Sequence, residues 1–204
     1  MLGRRGLCMF GRRGLRVSGR RLELTGGGGA ARLSNVHHAH DGEEGPTSLA
    51  EELDRHWMEA ALDEARCALD QGEVPVGAVV VVGDRIIGRG RNRVEETRDP
   101  TAHAEIIAIG AAAGALKVPR LTGATIYITM EPCAMCAGAI VLSRVRRIVY
   151  GCPDPKAGYC GSLGSIPEDS RLNHRVAITS GVMREECASL VSGFFEKLRS
   201  DGRG

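Results

Sequence analysis

The stretch that most constrains this chain runs from Asp99 to Cys136, where Thr-Ala-His103-Ala-Glu105 is followed some thirty residues later by Glu-Pro-Cys133-Ala-Met-Cys136. One imidazole and two thiols are three soft-to-borderline donors of the kind Zn²⁺ prefers. A catalytic zinc site uses three protein ligands and keeps its fourth position open for water. Glu105 is then left beside the metal without being needed as a ligand. A carboxylate there is placed for general acid-base work, taking a proton from water and returning it to a leaving group. Pro132 biases Glu131 away from helical angles and suits a helix start, so a helix is expected to begin near Cys133, with Cys133 and Cys136 on one face of its first turn. A helix N-terminus lowers thiol pKa and helps both sulfurs bind as thiolates. Asp99-Pro100-Thr101 reads as the start of a second helix carrying His103. Residues 103 and 105 stand about 200° apart on an ideal helix, which places the metal off the helix end rather than beside it. Two thiolates cancel the charge of Zn²⁺, so its water is acidified less than at a three-histidine site, and Glu105 is needed as a separate base.

His-x-Glu followed by Pro-Cys-x-x-Cys is the signature of zinc nucleobase deaminases. The likeness extends through Glu-Val-Pro-Val-Gly (73 to 77), Arg-Asn-Arg (91 to 93), Asp-Pro-Thr-Ala-His-Ala-Glu (99 to 105) and Met-Cys-Ala-Gly-Ala (135 to 139). It continues through Asp154-Pro-Lys-Ala-Gly158, Gly161-Ser-Leu163 and Leu172-Asn-His-Arg-Val176. Over about residues 47 to 200 the chain resembles the bacterial tRNA-specific adenosine deaminases. That resemblance implies a three-layer α/β/α, cytidine-deaminase-like fold with a central mixed sheet of about five strands. It also implies one Zn²⁺ per subunit on His103, Cys133 and Cys136, with Glu105 as the catalytic acid-base. The substrate would be the wobble adenosine of a tRNA anticodon loop, converted to inosine. Asn92 and Asp154 become candidate substrate contacts, with Phe194 and Phe195 as candidates along the RNA path. Family members pair, so a homodimer is expected. The apolar second half of the 133 to 142 helix suits an interface and a core equally well.

Residues 1–46 carry eight Arg, no Lys and four acids, a net +4; against the chain's +2, this leaves −2 for the rest. This Gly/Arg-rich extension has too few large apolar residues to offset chain entropy and is expected to be disordered. An RNA-grasping arm and stray metal binding at His37, His38 and His40 are its sharper readings. Residues 47–200 form the expected deaminase domain, and 201–204 a short tail. Seven cysteines, an odd number with no apolar core of a secretion signal, point to a reducing cytoplasm without a disulfide framework. Cys8, Cys67, Cys152, Cys160 and Cys187 read as ordinary thiols, partly buried.

Ser48-Leu-Ala-Glu51 forms a capping box, and Leu53, Trp57, Ala60, Ala61, Ala65 and Leu69 recur at helical spacing, so a helix over 49–71 is expected to bury that stripe. Residues 77–82 and 85–89 read as strands of a hairpin, and 91–98 as a polar loop. The 103–115 helix is apolar nearly all round and expected to be buried, but its eleven-residue apolar run is too short to cross a bilayer. Strands over 124–129, 147–151 and 176–179 and a last helix over 183–198 complete a mixed sheet between helices, with the metal segments at one end of it. Seven aromatic residues are too few for a multi-ring platform of the sort single-strand binders use. Tyr159 adds either a stacking face or a surface ring.

Two other readings fit parts of the pattern. The zinc motif alone also suits a deaminase of free guanine- or cytosine-type bases or nucleosides. A zinc-stabilised RNA-binding module without catalysis requires a fourth protein ligand, for which Cys152, Cys160 and His174 are the candidates.

Overall fold

Ser48 caps the first helix as the sequence predicts. Its hydroxyl accepts from the Glu51 N–H while the Glu51 carboxylate accepts from the Ser48 N–H, closing a capping box in front of α1, Leu49–Asp70. The computed structural model describes residues 48–202. The expectations for residues 1–46, for Cys8 and for the end of the 201–204 tail lie outside them. After α1 come β1 (Gly77–Val82), β2 (Arg85–Arg91), a one-turn α2 (Val94–Thr97) and α3 (Ala104–Leu116). They are followed by β3 (Thr125–Met130), α4 (Ala134–Leu142), β4 (Arg147–Cys152), β5 (Ala177–Ser180) and α5 (Arg184–Ser200). None of these helices is long and apolar enough to cross a membrane.

The five strands form one mixed sheet in the order β2-β1-β3-β4-β5. β1 runs antiparallel to both neighbours, and β3, β4 and β5 are mutually parallel. Side chains of a strand alternate between faces, and both faces here are covered. Ala78, Val80, Ile126, Ile128 and Ile148 meet α3 and α4, whereas Val79, Val81, Tyr127 and Val149 meet α1 and Cys187 of α5. The expected α/β/α sandwich follows. Its topology brings the C-terminal ends of β2, β3 and β4 to one edge, where the segments bearing His103 and Cys133 leave the sheet.

Three elements depart from the sequence expectation, each because of a distant partner. The buried face of α1 is turned by one residue: Asp54, Met58, Ala61, Leu62 and Ala65 are inside, while Leu53 is 41% exposed. Asp54 is tolerated inside because Arg147 donates to it twice, at 2.7 and 3.0 Å, and the Tyr127 hydroxyl once, at 2.9 Å. The 91–98 segment is not all loop; Glu73 accepts from the N–H groups of Glu95 and Glu96 and so caps the single turn of α2. Finally, α3 is not buried all round. Ala104, Ala108 and Ala112 face the sheet, but Gly110, Ala111 and Leu116 are exposed. Cys152, Cys160 and Cys187 are buried free thiols as expected.

The small face of α3 lets it sit directly on β2, where Gly88 and Gly90 offer no side chain. A Cβ at Gly90 would fall onto the Ala104 carbonyl oxygen and within 2.5 Å of the Ala108 nitrogen. Both obstacles are backbone, so the helix rather than a rotamer must yield. Overpacking of this kind costs about 1–3 kcal/mol, and here it displaces the helix end that carries His103 and Glu105. Gly90→Ala is therefore expected to lose about that much stability in urea unfolding. Gly193→Ala, in α5 with no atom within 4 Å of the added carbon, should gain about 0.5–1 kcal/mol.

Candidate active site

The donor set forms where two helices begin. Cys133 is the N-cap residue of α4, and its helix brings Cys136 round one turn to the same side. His103 occupies the same position on α3, with extended backbone, and α3 starts at Ala104 rather than at the Asp99-Pro100 pair. Asp99 instead closes a local turn, accepting from both the N–H and the hydroxyl of Thr101. The His103 Nδ1 lies 3.7 Å from the Cys133 Sγ and 3.5 Å from the Cys136 Sγ. All three ligand atoms lie within 4.8 Å of one another, close enough to share one metal ion.

Without a cation this cluster is electrostatically frustrated. Hydrogen bonds with Cys136 and His103 pull the Cys133 thiol down to about 4, while the neighbouring Cys133 sulfur and burial hold the Cys136 thiol far above the ordinary range. A second thiolate needs a positive charge that the side chains do not supply. The donor set therefore fits a divalent, thiophilic metal such as zinc. Glu105, in the first turn of α3, is 4% exposed. Burial pushes its carboxyl above the usual carboxylate range, against the opposing pull of His103 and of a hydrogen bond with Cys136.

The candidates for a fourth ligand are engaged elsewhere. The Cys152 thiol donates to the Thr129 carbonyl, the His174 Nε2 pairs with the Val145 carbonyl, and Cys160 lies in the core. Among the described residues, only His103, Cys133 and Cys136 make up the cluster.

A cavity of about 360 Å³ opens over these groups, at the small end of the range for sites that hold one small molecule. His103, Cys133 and Glu105 form its floor, with Asn92 and Asp154 on its walls. Asn92 is only 7% exposed and donates from Nδ2 to Glu73 at 3.0 Å. A carboxylate only accepts, so this contact fixes which way the amide faces. Asp154 uses Oδ1 for the N–H groups of Lys156 and Ala157; its Oδ2 has no protein partner among the described residues. Phe195, 40% exposed, lines this cavity and also a neighbouring groove against α5. Phe194 lines neither and meets Phe195 edge to face at 5.4 Å. Tyr159 packs on the core rather than offering a free stacking face.

Two buried carboxylates in the cavity wall escape a motif reading. Glu73 holds Asn92 and α2, and Glu131 holds the loop after β4. Their visible signal is an acid in a short apolar run ending in proline, Glu73-Val-Pro75 and Met130-Glu131-Pro132.

Family comparison agrees with the geometry. The MafB19-like deaminase family matches residues 52–199, so fold and site together define a deaminase. The tRNA-specific adenosine deaminase of Bacillus subtilis is 47% identical over 146 residues, 72% of this chain and 91% of the relative. That of Haemophilus influenzae is 47% identical over 151 residues, 74% and 87% of the two chains. A solved structure from work on A-to-I editing by tRNA deaminases at the wobble position of transfer RNA superposes with a TM-score of 0.64 at 46% identity. It covers 66% of this chain and 98% of that one. The chain belongs to the tRNA-specific adenosine deaminase family.

The environments of the thiols separate them chemically. Burial pushes Cys152 up to about 11 and Cys160 and Cys187 up to about 12, so at pH 8 each is protonated and unreactive. Cys133 is partly exposed in the cavity. Mass spectrometry after iodoacetamide treatment of the folded protein at pH 8 should find Cys152, Cys160 and Cys187 unmodified. Cys133 should be alkylated only once a chelator has removed metal.

Proposed function

We propose that this enzyme hydrolyses the 6-amino group of adenosine at the wobble position of a tRNA anticodon, giving inosine and ammonia. The observation that carries this reading is the buried Glu105 carboxylate beside a three-donor cluster at the floor of a cavity sized for one nucleoside. His103, Cys133 and Cys136 would hold one zinc ion per subunit. Bound there, zinc supplies the Lewis acidity that makes water a nucleophile near neutral pH. Glu105 accepts one proton of the attacking water and delivers it to N1 of the base; it then takes the remaining proton of the new C6 hydroxyl and passes it to the amine, so that the C–N bond breaks, ammonia leaves and the C6 carbonyl forms. Its raised proton affinity suits both halves of that task. Asn92 and Asp154 orient the base and sugar from the cavity walls, and Phe195 lies where the RNA enters; Phe194 supports it from behind. The target base lies in a loop, so turning it into the cavity costs only a few kcal/mol.

A deaminase of free bases is separated from this reading by substrate, and a zinc-stabilised RNA-binding module by turnover. Zinc-loaded protein incubated with an anticodon stem-loop should convert one loop adenosine to inosine, read by nuclease digestion and mass spectrometry. Free guanine, cytosine and adenosine should stay unchanged. Deamination of a free base with untouched RNA would establish the first alternative, and RNA binding without turnover the second. Glu105→Gln should keep stoichiometric zinc by elemental analysis while kcat falls at least about 10²–10⁴-fold, the usual worth of a general acid-base.

The exposed apolar faces of α3 and α4 fit a homodimer. On α4, Met135 and Leu142 are 37% and 79% exposed, spaced along one side with Gly138 and Ala139 between them. A second copy of the chain would cover this stripe in the cytoplasm, where tRNA is met. Leu142→Asp should shift sedimentation toward half the wild-type mass.

A further inference from the structure

Glu131 ends the strand segment that leads into Pro132 and Cys133. Its carboxylate is 3% exposed and makes no ion pair among the described residues. Four donors of one loop surround it instead. Oε1 accepts from the N–H groups of Cys160 at 3.0 Å and Ser162 at 2.9 Å; Oε2 accepts from the Asp154 N–H at 3.0 Å and from the Ser162 hydroxyl. The loop is wound so closely that a Cβ at Gly158 would collide with the carboxyl group. The same segments are joined beside it. The Tyr159 N–H donates to the Pro132 carbonyl at 2.8 Å, the Glu131 N–H donates to the Cys152 carbonyl at 2.9 Å, and Cys133 and Gly158 form a β-bridge. One end of the assembly carries the donor Cys133 and the other carries Asp154, and both line the same cavity.

We propose that Glu131 is a positioning residue that sets the gap between Asp154 and the His103, Cys133 and Glu105 floor, and so fixes how the nucleotide is seated. This rests on the deaminase reading above. A purely structural carboxylate would tolerate an isosteric amide wherever its donors can turn, and the two oxygens differ in that respect. Both donors to Oε1 are backbone N–H groups, which cannot reverse. On the Oε2 side the Ser162 hydroxyl can rotate to accept, so a glutamine places its NH₂ there and leaves only the Asp154 N–H without an acceptor. Glu131→Gln therefore releases the Asp154 corner selectively and leaves the rest of the loop tied.

The test compares zinc-loaded wild type, Glu131→Gln, Asp154→Ala and the double variant on an anticodon stem-loop. Loss of one charge-assisted hydrogen bond is worth roughly tenfold. The KM of Glu131→Gln should rise about that much, with kcat at saturating RNA and zinc content nearly unchanged. Because Glu131 acts through Asp154, the double variant should be no worse than Asp154→Ala alone. Hydrogen exchange should quicken in the peptide around Asp154 and stay unchanged in α1, a readout that does not depend on any substrate. Fully additive KM effects, a loss confined to kcat, or unchanged exchange at Asp154 would each overturn the proposal. Wild type without inosine formation would defeat the deaminase reading, and the exchange result would still decide the role of Glu131. If Glu131→Gln fails to fold, Ser162→Ala, which removes only the hydroxyl donor, should give a weaker shift in KM and exchange in the same direction; no shift in either would overturn the proposal.

Discussion

Two helix N-termini aimed at one point set the chemistry of this protein. α3 and α4 begin at His103 and Cys133, and each presents the positive end of its dipole to the cluster. That field favours sulfur and carboxylate anions, in opposition to the burial that raises Glu105 and Cys136. The first-turn positions of Glu105 and Cys136 follow from the same arrangement. α3 is brought to that point by its alanine face lying against the bare backbone of Gly88 and Gly90. The sheet order completes the geometry by bringing the ends of β2 and β3 to one edge.

Charge is handled differently at each depth. At the floor, three donors and a carboxylate crowd a half-buried site and need a cation. In the walls, the buried carboxyl groups of Glu73 and Glu131 are satisfied by N–H and O–H groups rather than by arginine. On the opposite side of the sheet, Asp54 is balanced by Arg147 and Glu64 by Arg89. Burying a charge is costly unless it is paired or hydrogen-bonded, and these arrangements keep the wall carboxylates from competing for the metal. Their donors are loop backbone, so satisfying the charge also shapes the cavity.

Local pattern was enough to read every element but α2 and to single out the three donors that the fold brings together. The capping box at Ser48, the valine-rich β1 and the Pro-Cys-x-x-Cys start of α4 each carry their structural reason within a few residues. Features decided by distant partners were not legible. The facing of α1 depends on Asp54 meeting Arg147, 93 residues away, and α2 depends on Glu73, 22 and 23 residues away. Glu131 looks like a residue before proline until its loop, 23 to 31 residues on, closes over it. The open face of α3 was not legible because small apolar residues on all sides of a helix look the same whether they meet a core or stay exposed.

The central claim is that one imidazole and two sulfurs bind a metal with a place left for water beside Glu105. X-ray absorption at the zinc edge of the purified protein tests it most directly. Two Zn–S distances of about 2.3 Å, one Zn–N of about 2.0–2.1 Å and one light solvent atom are predicted. A third sulfur, or a second imidazole filling the fourth position, would contradict the account.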